Sequence, residues 1–188
     1  MIRSARRTRA VLATGAAAFA AAGCAGTQVR LVEKSMEPTV RSGEFVEFDQ
    51  WAYDEDTPPE RGDIISFKPP ASGDDELSCN ELPPEGSPCS APAGVGEGTS
   101  LVKRVIALPG ETIAIADDGR AIVNGAKLEE DQIIPCRPDE DDCGLPEPIT
   151  VAPGHYFVMG DNRPYSGDSR DFGPIELDAI EGEIKPPR

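Results

Sequence analysis

The sequence predicts an all-β protein built from antiparallel sheets joined by long loops. Three observations carry that expectation. Short runs rich in Val and Ile alternate apolar and polar residues, the pattern of strands with one face buried. Turn signals separate them, and 19 Gly and 19 Pro are spread through 188 residues. No amphipathic run is long enough for a helix of several turns. In chain order the expected strands cover residues 28–33, 44–48, 63–68, 100–107, 111–116, 120–123, 155–159 and 180–184. Asp117-Asp118-Gly119 reads as a hairpin turn between two of them, and Asn124-Gly125 as a second turn.

Two segments interrupt this pattern. Residues 69–98 and 127–148 are acidic and rich in loop-forming residues, and read as insertions. The acidic runs Asp54-Glu55-Asp56, Asp74-Asp75-Glu76 and Asp139 to Asp142 read as solvated loop faces. The insertions hold Cys79, Cys89, Cys136 and Cys143. Four cysteines allow three pairings, and the local one, Cys79–Cys89 with Cys136–Cys143, is expected. C-x9-C and C-x6-C are not zinc-ligand spacings and no histidine lies nearby, so neither metal nor cofactor is expected.

Residues 1–23 read as a targeting segment, leaving 24–188 as one domain. Arg3, Arg6, Arg7 and Arg9 precede an apolar run from Val11 to Gly23 that is short of a membrane span. Ala21-Ala22-Gly23-Cys24 resembles a lipobox, in which Cys24 would be lipidated. An uncleaved signal-anchor and cleavage at an Ala-x-Ala site are the alternatives. Net charge is −16, and the four arginines leave −20 on the remainder, which repels phosphates and argues against nucleic acid.

Three words carry chemistry. The first is Ser35-Met36-Glu37-Pro38-Thr39, the second Lys103-Arg104 within an apolar strand, and the third Gly160-Asp161-Asn162-Arg163 through Ser166, Asp168, Ser169 and Arg170. A serine hydroxyl needs a base to attack. The single histidine, His155, opens an apolar strand and reads as structural, so a Ser-His-Asp triad is poorly supported. A lysine serves instead if burial strips its proton at neutral pH. Alternation sends Lys103 and Arg104 to opposite faces, so one can face the site while the other makes an ion pair.

In this order the words resemble bacterial signal peptidase I, the serine–lysine endopeptidase that removes signal peptides at the outer face of the cytoplasmic membrane. Arg61-Gly62-Asp63-Ile64-Ile65 and Asn124-Gly125 also match. The resemblance implies a signal-peptidase-I-like catalytic domain with an apolar groove for an extended peptide. It implies Ser35 as nucleophile and Lys103 as general base, with Ser166 hydrogen-bonded to Lys103. Asp168 would pair with Arg104 or Arg170, and Met36 and Pro38 would shape the nucleophile turn. The partners implied are signal-peptide-bearing precursors and the membrane surface, which a lipid on Cys24 would hold ten residues from Ser35. The sequence departs from the family before Ser35, where Glu33-Lys34 replaces a Gly or Ser two residues ahead of the nucleophile. Two further readings follow from the residues. One is a self-cleaving repressor-type Ser–Lys protease; the other is an exported lipoprotein of this fold that binds peptides without cutting them.

Overall fold

The computed structural model describes residues 27–70, 95–96, 98–138, 143–145 and 147–187. Cys24, Cys79, Cys89, the targeting segment and the acidic runs 74–76 and 139–142 lie outside the described residues.

Among the described residues, eleven strands form two antiparallel sheets, as expected of an all-β chain. The strands are β1 (Thr27–Arg30), β2 (Phe45–Asp49), β3 (Ile64–Phe67), β4 (Leu101–Ala107), β5 (Thr112–Ile115), β6 (Ala121–Val123), β7 (Ala126–Lys127), β8 (Ile149–Thr150), β9 (His155–Met159), β10 (Ile175–Glu176) and β11 (Ile180–Lys185). The larger sheet has the order β1-β2-β11-β3-β4-β9-β10, and the smaller β7-β6-β5-β8. The expected strands are present with ends shifted by one residue at most, except that the first stops at Arg30, three residues short. Three strands that periodicity does not predict, β7, β8 and β10, are two residues long, too short to show a repeat. A one-turn helix, α1 (Ser169–Phe172), is a further element that periodicity does not predict. Its start is a capping box in which the Asp168 side chain accepts from the helix while Asp171 reaches back to the Asp168 N–H.

The hydrophobic pattern explains how one strand serves several layers. Ile64 of β3 and Val102 of β4 pack with Met36, Val40, Val46 and Ile184 beneath the first chemical word. Their neighbours Ile65 and Val105 turn to the other side and pack with Phe67, Tyr156, Val158 and Ile175. The far end of β4 continues into a third cluster, where Ile106 and Ala107 meet Ile113, Val123, Phe157 and Met159. That cluster joins the two sheets.

Both turn signals are realised. Asn124 and Gly125 take φ of 52° and 79°, the pair that a two-residue turn of the type matching strand twist requires. Gly119 has φ of 78°, and a Cβ there would stand 2.8 Å from Cys136 Sγ. The hairpin therefore packs directly on the Cys136–Cys143 disulfide, whose Cα atoms are 6.4 Å apart. This pairing is the local one expected. The cysteines are nevertheless buried, as are Glu130 and Ile133, so the described part of the second insertion sends side chains into the core from a largely exposed loop. Replacing Cys136 and Cys143 by serine is expected to lower stability by about 2 kcal/mol, the loop-entropy value for so short a ring. Urea denaturation of the variant against the oxidised protein checks it.

Candidate active site

The apolar face of β4 places a lysine where solvent does not reach. Leu101, Lys103 and Val105 share one face of the strand, and Lys103 sits opposite Ile65 of β3. Lys103 is 1% exposed. Its Nζ donates to Ser35 Oγ at 2.9 Å and to its neighbour's carbonyl, Val102 O, at 3.1 Å. Burial pushes the Lys103 ammonium below the ordinary lysine range. Glu33 and then Asp168 oppose that shift, and Arg170 adds to it.

Ser35 is buried in a tight turn. The turn is tied by Glu37 N–H to Lys34 O and by Val40 N–H to Met36 O. Met36 anchors it in the core, while Pro38 is exposed and follows a cis peptide bond. The third word clamps the same turn from outside. Asn162 N–H donates to Ser35 O at 2.9 Å, and Asn162 Nδ2 donates to Lys34 O at 3.1 Å. Gly160 is the close-approach point. A Cβ there would collide with the Ser166 hydroxyl and lie 2.6 Å from Ser35 O. Gly160→Ala is therefore expected to displace Ser35 and reduce peptide cleavage by about 10²-fold or more, the cost of an ångström-scale misplacement. Kinetics alongside a thermal melt will separate that loss from unfolding.

Arg104 turns to the opposite face and pairs with Asp161 through two bonds of 2.8 and 2.7 Å. Asp161 is fully buried and also accepts from Thr39 Oγ1. Asp168 accordingly pairs with Arg170, through Nε and Nη2 at 2.8 Å each, while its Oδ2 accepts from Gly160 N–H. Of the two partners open to Asp168, the structure brings Arg170, because Asp161 already occupies Arg104. Asp161 is a site residue that spacing does not single out. Arg163 is another: its guanidinium is fully buried, donates to Gly119 O and Gly160 O, and pairs with buried Glu130.

Ser166 is brought to the site, but its buried hydroxyl forms no hydrogen bond. The bond to Lys103 expected of it is not among those formed. Lys103 Nζ instead engages Ser35 Oγ and Val102 O. His155 lies away at the start of β9, with Nδ1 3.0 Å from Pro153 O and its Nε2 3.8 Å from Glu176.

A cleft of about 460 Å³ opens onto the pair, lined by Glu33, Ser35, Leu101, Lys103, Tyr165 and Phe172 among others. A second groove of about 400 Å³ is lined by Val29, Leu31, Ser100 and Val102 among others. Among the described residues no cluster of His, Cys, Asp and Glu is arranged to hold a metal. No helix among them is long and apolar enough to cross a membrane.

The chain as a whole matches a known family. The model of the signal peptidase, peptidase S26, family matches residues 4–187. The chain belongs to this family. Signal peptidase I of Mycobacterium tuberculosis is 32% identical over 160 residues, covering 76% of this chain and 54% of that protein. Signal peptidase I of Bacillus caldolyticus is 33% identical over 160 residues, covering 80% of this chain and 72% of that one. The chain thus spans about half the length of the mycobacterial signal peptidase. A crystal structure of a signal peptidase I from Enterococcus faecalis V583 is 30% identical, covering 68% of this chain and 97% of that one, with a TM-score of 0.43. These signal peptidases and this chain share the family, and the Ser35–Lys103 geometry stands on its own distances.

Proposed function

We propose that this chain is a serine endopeptidase that cleaves signal peptides from exported precursors, with Ser35 as nucleophile and Lys103 as general base. The 2.9 Å contact between Lys103 Nζ and Ser35 Oγ in a buried setting is the observation that carries it. Burial disfavours the lysine's charge, so a neutral amine that can accept a proton is within reach near neutral pH. In the first step the Ser35 oxygen attacks the scissile carbonyl while its proton passes to Lys103 Nζ. The resulting oxyanion needs donors, and no backbone carbonyl among the described residues holds the Ser35 N–H. On collapse the C–N bond breaks and Lys103 returns the proton to the leaving amine. A water then gives its proton to Lys103 and attacks the ester; on collapse Lys103 returns that proton to Ser35 Oγ, freeing the acid product.

Other residues position this pair. The Ser166 hydroxyl, without an acceptor in the resting site, becomes a donor to Lys103 once the amine is neutral. Asp168 and Arg170 fix the box against Gly160, and Arg104 with Asp161 fixes the opposite face of β4. The groove between Val29–Leu31 and Ser100–Val102 offers an apolar track for an extended peptide, a mode in which backbone bonds give affinity and pockets give selectivity. A lipid on Cys24 would hold the site at the membrane surface, and residues 24–188 would form one catalytic domain around the two insertions. The test is cleavage of a signal-peptide-bearing precursor by the full chain in detergent. Cleavage at the end of the signal peptide is expected, with none from Ser35→Ala. Undiminished cleavage by Ser35→Ala would overturn the assignment.

A further inference from the structure

Glu33 stands where the site has least need of a negative charge, two residues ahead of the nucleophile and on the wall of the same cleft. Its Oε2 lies 3.9 Å from Lys103 Nζ. The Lys103 side chain is 2% exposed and the Glu33 side chain 43%. One partner is fixed and the other free to swing into solvent. We propose that Glu33 is the resting counter-ion of Lys103, a latch that keeps the lysine protonated in the empty enzyme and gives way when a peptide fills the cleft.

The other charges around Lys103 do not supply that role. Asp168 is engaged in two bonds with Arg170 and accepts from Gly160 N–H, so that pair presents little net charge. Arg104 lies on the other face of β4, neutralised by Asp161. Lys34 lines the same cleft and carries the same sign as the lysine. From β3 the opposing residue is Ile65, and from β9 the residues paired to β4 are Phe157, Val158 and Met159, all apolar. Glu33 is thus the anion that both faces Lys103 and can leave it.

The latch couples substrate binding to activation of the base. An extended peptide alongside residues 31–34 occupies the space of the Glu33 carboxylate. Once the anion is displaced, burial alone acts on Lys103 and its proton is released more readily. Removing the anion by Glu33→Gln then has a definite sign. The free enzyme's lysine loses a group that favours its charged form, so it deprotonates at lower pH.

The inference rests on the Ser–Lys reading, and its test separates the two. With the full chain in detergent, Glu33→Gln is expected to move the acid limb of kcat/KM down by about one pH unit, the lower end of what a close opposite charge does. Below that limb kcat/KM rises about tenfold. The acid limb of kcat, which belongs to the peptide complex, moves by less. An unmoved acid limb of kcat/KM, or an equal shift in both profiles, would overturn the latch. In parallel, the Lys103 ε-methylene is titrated by NMR in the Ser35→Ala background, a readout independent of turnover. Glu33→Gln is expected to lower its midpoint by about one unit. A signal-peptide fragment is expected to lower the midpoint more in the protein with Glu33 than in E33Q. Equal lowering in both would also contradict the latch. Activity in Lys103→Ala would instead overturn the dyad, whatever the titration shows.

Discussion

Lys103→Ala and Lys103→Arg are both expected to lose peptide cleavage by roughly 10²- to 10⁴-fold in kcat, the usual worth of a positioned general base. The pairing of the two substitutions matters. Alanine removes the proton acceptor and leaves a cavity. Arginine keeps positive charge near Ser35 but stays protonated at any working pH, so it cannot accept the serine proton. If Lys103 acted by its charge alone, arginine would retain activity. Neither change removes a partner on which another buried charge depends, because Glu33 is partly in solvent. The variants should therefore fold, and circular dichroism with a thermal melt will show it. A kcat measurement on a signal-peptide substrate then reads the base directly.

The second large effect lies behind the site. Arg163 is fully buried, and Glu130 is its counter-charge. Glu130 Oε2 also accepts from Ala121 N–H at 2.8 Å, tying the second insertion to β6. Glu130→Ala leaves a buried guanidinium without its counter-charge. Breaking a buried pair from one side typically costs about 3–5 kcal/mol. For a chain of this size that lowers Tm by on the order of 10 °C. Glu130→Ala combined with Arg163→Met removes both charges and is expected to recover much of the loss. Because Arg163 follows Asn162, which clamps Ser35 and Lys34, the single variant should also lose cleavage before it unfolds. Differential scanning calorimetry and activity at a temperature below both transitions check the two effects separately.

Much of the fold is legible in the sequence because alternation in β2, β3, β4 and β9 is a local property of the chain. The long strand β4 shows why: its apolar residues announce burial, and a side-chain period of two is enough to send Lys103 and Arg104 to opposite faces. The three words likewise name the residues that the fold brings together. What spacing does not encode is the choice of partner across the sheet. Arg104 has Asp161 and Asp168 within reach in the same word, and the register of β4 against β9, which sets Arg104 opposite Met159, decides for Asp161. Glu130 sits in an acidic segment that reads as an inserted loop, and only the fold shows the buried arginine it pairs with. The α1 start is hidden because its capping box uses Asp171 where Glu or Gln is the usual signal. Glu33 is visible as a departure before the nucleophile, yet its 3.9 Å approach to Lys103 is a fact of three dimensions.

The central claim is that Ser35 forms the bond to substrate and that Lys103 takes its proton. The direct measurement is mass spectrometry of the full chain after reaction with a serine-directed acylating inhibitor. The expected result is one adduct on the peptide containing Ser35, absent in Lys103→Ala and in Ser35→Ala. An adduct on any other residue, or equal labelling of Ser35 in Lys103→Ala, would contradict it.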